Sequence, residues 1–155
     1  ARRIMICASQ DVGNADPQAL VVAVNASLAV ERVGMPEAQI ILAQAAAYVA
    51  CAPKSNAAVN AISEAMDCVA QTGDLPVPPH LQDAHYKGAA KLGHGLDYKY
   101  SHIYPNHYVS QQYLPYELTG KNFYVPGDLG YERKIKEHMK FIREEEKKRL
   151  AGEEA

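Results

Sequence analysis

The side chains best suited to chemistry in this chain are six histidines, three cysteines and a lysine–serine pair that follows a proline. His80, His85, His94, His102, His107 and His138 form no HExxH pair, and no Cys/His cluster has zinc-ligand spacing. His94, His102 and His107 share one irregular stretch and could converge on a metal ion, but packed or solvated rings are the plainer expectation. Pro53-Lys54-Ser55 echoes the last letters of a phosphate-binding loop without the glycines that turn backbone amides toward a phosphate. Gly93-His94-Gly95 lacks the third glycine and a preceding strand, so a loop turn is favoured over a dinucleotide site. No GxSxG elbow marks a serine nucleophile. Asp11 and Asp16 are accounted for by loop and capping roles. Cys7, Cys51 and Cys68 are odd in number and widely spaced, which favours a reducing, cytoplasmic setting over a disulfide framework. Catalysis is not indicated.

A second set of side chains is aromatic. Tyr98, Tyr100, Tyr104, Tyr108, Tyr113 and Tyr116 recur through residues 91–130, and the bases of a single strand stack on such rings. Lys91 and Lys99 are the cations nearby, set against Asp97 and Glu117. Arg2, Arg3 and Lys54 complete the basic candidates for DNA contact. That is little charge for a phosphate binder, so inward packing of the tyrosines is the favoured expectation.

The elements that must position these groups are mostly helical. Asp16 before Pro17 is a start signal, because the carboxylate can cap the first turn and Pro17 needs no amide there. The helix should run to Val33, with Gly34 free to take the left-handed conformation that ends it. Its polar residues, Gln18, Asn25 and Arg32, lie on one line, and the remaining circumference is apolar. Pro36 opens a second helix with the polar line Glu37–Gln44, ended by Ala52 before Pro53. Helices apolar on nearly every side are expected to be buried, as the domain's core and in contacts between copies. Ala43, Ala46, Ala47 and Ala50, with Tyr48 beside them, form a small-residue ridge suited to close helix approach and are the candidate oligomer interface.

Ser55 caps a third helix over about 56–71, with the stripe Val59, Ile62, Met66 and Val69 and with Gly73 closing it. Pro79 starts a short helix through Ala84, Tyr86 and Gly88. From Lys91 to Gly130 the helical period is lost, and short helical turns with a small strand pair are expected, laid over the helices. The last helix, from Tyr131 to about Arg149, carries the stripe Tyr131, Ile135, Met139 and Ile142, flanked by Phe141. Glu132–Lys136, Glu144–Lys148 and Glu145–Arg149 are its four-residue charge pairs. The expected organisation is one domain over 1–155, with a helical core (1–90), an irregular Tyr-rich segment (91–130) and a C-terminal helix (131–150).

The 155 residues carry a net charge of −2. Residues 131–155 hold 8 of the 16 basic and 7 of the 18 acidic groups, so the preceding body is slightly acidic and lacks the footprint of a stand-alone phosphate-backbone binder. No apolar run is of spanning length, and no membrane partner is expected. The chain opens on a helical pattern without an initiator Met and is expected to be part of something longer.

The segments ASQDVGNADPQAL, RVGMPEAQIILAQAAAYVACAPKSNAA, KLGHGLDYKYSH and QQYLP, in that order, resemble the C-terminal region of the RarA/MgsA replication-associated recombination ATPases. A eukaryotic relative of that family is the Werner helicase-interacting protein. Gln10 stands where the family pattern carries Glu, and Ser101 where it carries Pro. The resemblance implies an all-α bundle of the clamp-loader-collar kind that builds a homotetramer. It also implies a preceding AAA+ module in the same chain, which would hold ATP and Mg, so no cofactor, metal or catalytic residue is expected in these residues. Implied partners are a second copy, that AAA+ module, the single-stranded-DNA-binding protein and forked or single-stranded DNA, in a nucleoid-associated cytoplasmic setting. The alternative to an oligomerisation domain is a DNA-structure-binding module built on the Tyr-rich segment and the basic residues named above.

Overall fold

The computed structural model describes residues 1–153, leaving aside the side chains of Ala90 and Glu153. Among the described residues five α-helices form: α1 (Arg2–Cys7), α2 (Gln18–Val33), α3 (Ala38–Cys51), α4 (Ala57–Thr72) and α5 (Gly130–Glu153). Among the described residues no strand forms, which corrects the expected strand pair; residues 79–118 are punctuated only by short 3-10 turns. The short helix expected from Pro79 through Gly88 is reduced to one such turn, Pro79–Leu81. The chain divides into two compact units: Ala1–Met66 with Phe123–His138, and Asp67–Asn122 with the chain from Met139.

In the first unit the sequence signals act where they stand. α1 widens into a π turn over Ala8–Val12, and Gly13 (φ 54°) then reverses the chain. Asp16 Oδ1 accepts the amide of Gln18 at 3.0 Å, so the start of α2 is capped as expected. Gly34 (φ 74°) ends α2, and the extended backbone of Ala52 before Pro53 ends α3. The amide of Ala57 donates to Ser55 Oγ at 3.2 Å, capping α4.

The packing departs from the expected core. Ala8, Val12, Ala19, Ala23 and Val49 form the buried centre, with Ile4, Met5, Cys7 and Ala52 packed on it. Ala38 and Ala45 of α3 are buried as well. Alanine lines bring α2 and α3 together, and their longer aliphatics are thereby turned outward: Leu28 is 50% exposed and Ile40 73%. The all-round apolar helices are therefore half-covered and not buried, and the α4 stripe expected to be core is exposed at Ile62, Met66 and Val69. In this region small residues, not large ones, make the inside.

Candidate functional site

Three local constructions carry the side chains that could act. The first is the helix pair. A groove between α2 and α3, about 340 Å³ in volume, is lined by Val21, Asn25, Ala29, Ile41 and Gln44 among others. Beside it Ala43, Ala46, Ala47 and Ala50 are all exposed along α3, so the ridge read from the sequence is an outer surface. Tyr48 is anchored there: its hydroxyl donates to Asp16 Oδ2 at 2.9 Å, and that bond, with the neighbouring charge, raises the phenol above its ordinary value of 10.0. Asn25 turns its amide back onto the carbonyl of Val21 at 2.8 Å, which partly conceals the polar line within an otherwise apolar face.

The second construction was not legible from motifs. Glu132, in the first turn of α5, is 0% exposed. Its Oε2 accepts Ser55 Oγ at 2.6 Å and the amide of Gly127 at 2.7 Å, while Oε1 accepts the Tyr124 hydroxyl at 2.9 Å. Asn14 Nδ2 donates in turn to Tyr124 Oη at 3.1 Å. The residue that caps α4 is thus also a ligand of this carboxylate. A Cβ on Gly127 would lie 2.9 Å from Glu132 Oε2, and one on Gly130 would lie 2.1 Å from the carbonyl oxygen of Ala15, so both glycines are required for the approach. The stripe of α5 therefore begins at Glu132 and continues through Ile135, Met139 and Ile142, one residue away from the expected Tyr131, which is half-exposed. The spacing of 132, 135, 139 and 142 was the available signal; the charge of Glu132 concealed it.

The charge pairs shift accordingly. Lys136 pairs with Asp128 at 2.7 Å instead of Glu132, and Lys148 pairs with Glu145 at 2.7 Å instead of Glu144. Arg149 approaches Glu146 at 3.9 Å, not Glu145. Lys54 Nζ donates to the carbonyl of Val49 at 2.5 Å, so Pro53-Lys54-Ser55 is a helix-to-helix link, tied at one end to α3 and capping α4 at the other. Arg2 and Arg3 are exposed in α1 of the same unit. Asp11 bonds the Cys7 thiol and raises its pKa, and the Asp11 carbonyl accepts Ser55 N at 2.9 Å.

The third construction is the Tyr-rich segment of the second unit. Its tyrosines do not pack inward as expected: Tyr98, Tyr100, Tyr113 and Tyr116 are 50–60% exposed. Only Tyr104 and Tyr108 are half-buried, Tyr104 beneath the Arg149 guanidinium at 5.6 Å and Tyr108 with its phenol raised chiefly by burial. The segment brings Lys99, Tyr98 and Tyr100 together at one end, with Lys91 exposed on an adjoining 3-10 turn. The histidines do not converge. His94 Nδ1 meets the Tyr86 hydroxyl at 2.6 Å, while the His102 and His107 rings lie 5.1 Å apart. Among the described residues no group of three or more His, Cys, Asp or Glu is placed to hold a metal ion, and no helix is long and apolar enough to cross a membrane.

Comparison with known proteins supplies the context for these surfaces. An AAA domain-containing protein of Mycobacterium tuberculosis is 50% identical over 135 residues, covering 87% of this chain and 30% of that protein. Replication-associated recombination protein A of Bacillus subtilis is 49% identical over 130 residues, or 84% of this chain and 31% of that protein. Its namesake in Coxiella burnetii is 42% identical over 144 residues, 92% of this chain and 33% of that protein. The chain thus spans about a third of the length of these curated relatives. The family model described as MgsA AAA+ ATPase C terminal matches residues 1–143. By that match, and by relatives at this identity, the chain belongs to the family of MgsA AAA+ ATPase C-terminal domains.

Proposed function

We propose that this chain is the self-association domain of an AAA+ ATPase serving replication-associated recombination, and that it carries no catalysis of its own. One observation carries the self-association: α2, α3 and α4 present long aliphatic side chains to solvent, among them Leu20, Leu28, Ile40, Ile62 and Met66. Monomeric proteins rarely leave contiguous apolar patches beyond a few hundred Å² uncovered. The occupant is a second copy of the chain, with the ridge Ala43, Ala46, Ala47, Ala50 and Tyr48 at the contact. A standard interface takes about 800 Å² from each partner. ATP and Mg belong to the remaining two-thirds of such a protein, as do the nucleotide-binding motifs absent from this sequence.

The role in replication-associated recombination is supported by the names of the relatives and is taken from them to this chain as part of the same proposal. Sedimentation velocity at micromolar concentration tests the assembly. A species near four times the 17.0 kDa chain mass is expected, as a homotetramer requires. A clean monomer across that range would overturn the proposal.

A further inference from the structure

α4 covers its small side chains and turns its large ones outward. Ala57 and Cys68 are buried and Ala61 is half-buried, and these three lie on one line of the helix. Val59, Ile62, Met66 and Val69 follow one another at steps of three, four and three. At about 100° per residue they form a single seam roughly 140° around the helix from the covered line. Val59 is half-buried, while Ile62, Met66 and Val69 are 56–62% exposed. The spacing is that of the a and d places through which two helices interlock.

The seam carries no charge. The charged residues of α4 are Glu64 and Asp67, and both lie roughly 120° or more away from it. The places beside the seam hold Ala58, Ser63, Ala65 and Ala70. Charges at those places ordinarily select the partner of a helix pair. Here nothing repels a second copy, nothing attracts a charged helix, and the small side chains let two backbones approach. The seam also reads alike in both directions by size, with a valine at each end and isoleucine and methionine between. Turned about a two-fold axis level with Glu64, Val59 faces the partner's Val69, and Ile62 faces the partner's Met66. A parallel pairing would instead set the positive N-terminal ends of both helices side by side, each just after a Lys54.

We propose that α4 pairs antiparallel with α4 of a second copy about this axis. The pairing rests on the self-association proposed for the chain and adds to it a second, separate contact. A closed tetramer built on two-fold axes needs two different self-complementary patches. The alanine ridge of α3 is one, and the uncharged seam of α4 is the other. Either contact alone gives pairs, and only both together give four.

Sedimentation velocity of the intact chain at micromolar concentration tests the pairing. The unsubstituted chain sediments near four times 17.0 kDa, whereas Ile62→Glu and Met66→Glu stop near twice 17.0 kDa, because an unpaired carboxylate cannot be buried in the seam. Both keep the helical circular dichroism spectrum, since Ile62 and Met66 are exposed within the single chain. Met66→Leu, apolar and close in volume, keeps the four-fold mass, and so does Asp67→Lys, which changes the charge of α4 away from the seam. Cross-linking reads the direction. With the exposed Cys51 replaced by serine, coexpressed Ile62→Cys and Met66→Cys chains couple to each other under mild oxidation faster than either couples to itself. Faster coupling of each to itself overturns the antiparallel pairing. A four-fold mass for both glutamate variants, or their fall straight to monomer, overturns the α4 contact and leaves self-association standing. A monomeric unsubstituted chain overturns both.

Discussion

Removing the Glu132 side chain should be among the most destabilising single changes in this protein. Glu132→Ala deletes the acceptor of three hydrogen bonds, from Ser55, Tyr124 and the Gly127 amide, at a residue with no solvent exposure. Each buried donor left without a partner costs about 1–3 kcal/mol. Two of the three are partly relieved, since the Ser55 and Tyr124 hydroxyls are only part-buried and can rotate toward solvent. The Gly127 amide has no such relief. The expected loss is therefore about 3–5 kcal/mol, a large share of the 5–15 kcal/mol typical of a domain. Glu132→Gln keeps the volume but sets an amide donor against the other donors, and should lose about 1–2 kcal/mol. Urea unfolding followed by far-UV circular dichroism measures both, at one fixed protein concentration because self-association adds to apparent stability. Because Ser55 and Glu132 form one network, the double variant Ser55→Ala/Glu132→Ala should fall short of additivity by at least 0.5 kcal/mol or so. A loss below about 1 kcal/mol for Glu132→Ala, or strict additivity in the cycle, would refute the hub.

Gly130→Ala drives a Cβ into the Ala15 carbonyl at a backbone φ of 55° and should cost about 2–5 kcal/mol by urea unfolding. At Gly120, where φ is also positive but nothing lies within 4 Å, alanine should cost only about 1–2 kcal/mol. Ile40→Glu and Ala47→Glu, on the exposed face of α3, should shift sedimentation toward monomer while changing intrinsic stability by less than about 0.5 kcal/mol; unchanged mass would remove this face from the assembly. Tyr48, bonded to Asp16, and Tyr124, raised chiefly by burial with the Glu132 carboxylate beside it, should titrate above 10.0 in an ultraviolet absorbance titration. Their raised values favour the neutral phenol in the folded chain. The associated stability is therefore complete below the unfolded value near 10 and is lost as pH climbs through the folded values. Tyr48→Phe and Tyr124→Phe should each remove one late-titrating group.

Local signals in the sequence determined the helices and their ends, because each rests on bonds between near neighbours. Asp16 caps α2 two residues on, Gly34 can reverse the backbone alone, Pro53 forbids helix at Ala52, and Ser55 reaches the amide of Ala57. The motifs that carry the family resemblance lie along the same stretches, and they placed the chain in the family that its relatives share. Periodicity also identified α5 and its line Ile135, Met139 and Ile142, although the line begins at Glu132 and not at Tyr131.

Only the tertiary structure decided which side of each helix is inside. Composition marks α2 and α3 as apolar all round, but not that Ala19, Ala23 and Ala45 would be buried while Leu28 and Ile40 face solvent. That choice follows from how closely two backbones approach, a property of the pair and not of either helix. The tyrosines turned outward for a related reason: side chains such as Gln111 and His80 pin the segment through its backbone and leave rings such as Tyr98 and Tyr116 at the surface. Glu132 reads as a surface charge until Ser55, 77 residues earlier, and Tyr124 are brought to it by the fold. A buried carboxylate is stable only with its donors in place, and no local pattern in a chain can supply donors from so far away.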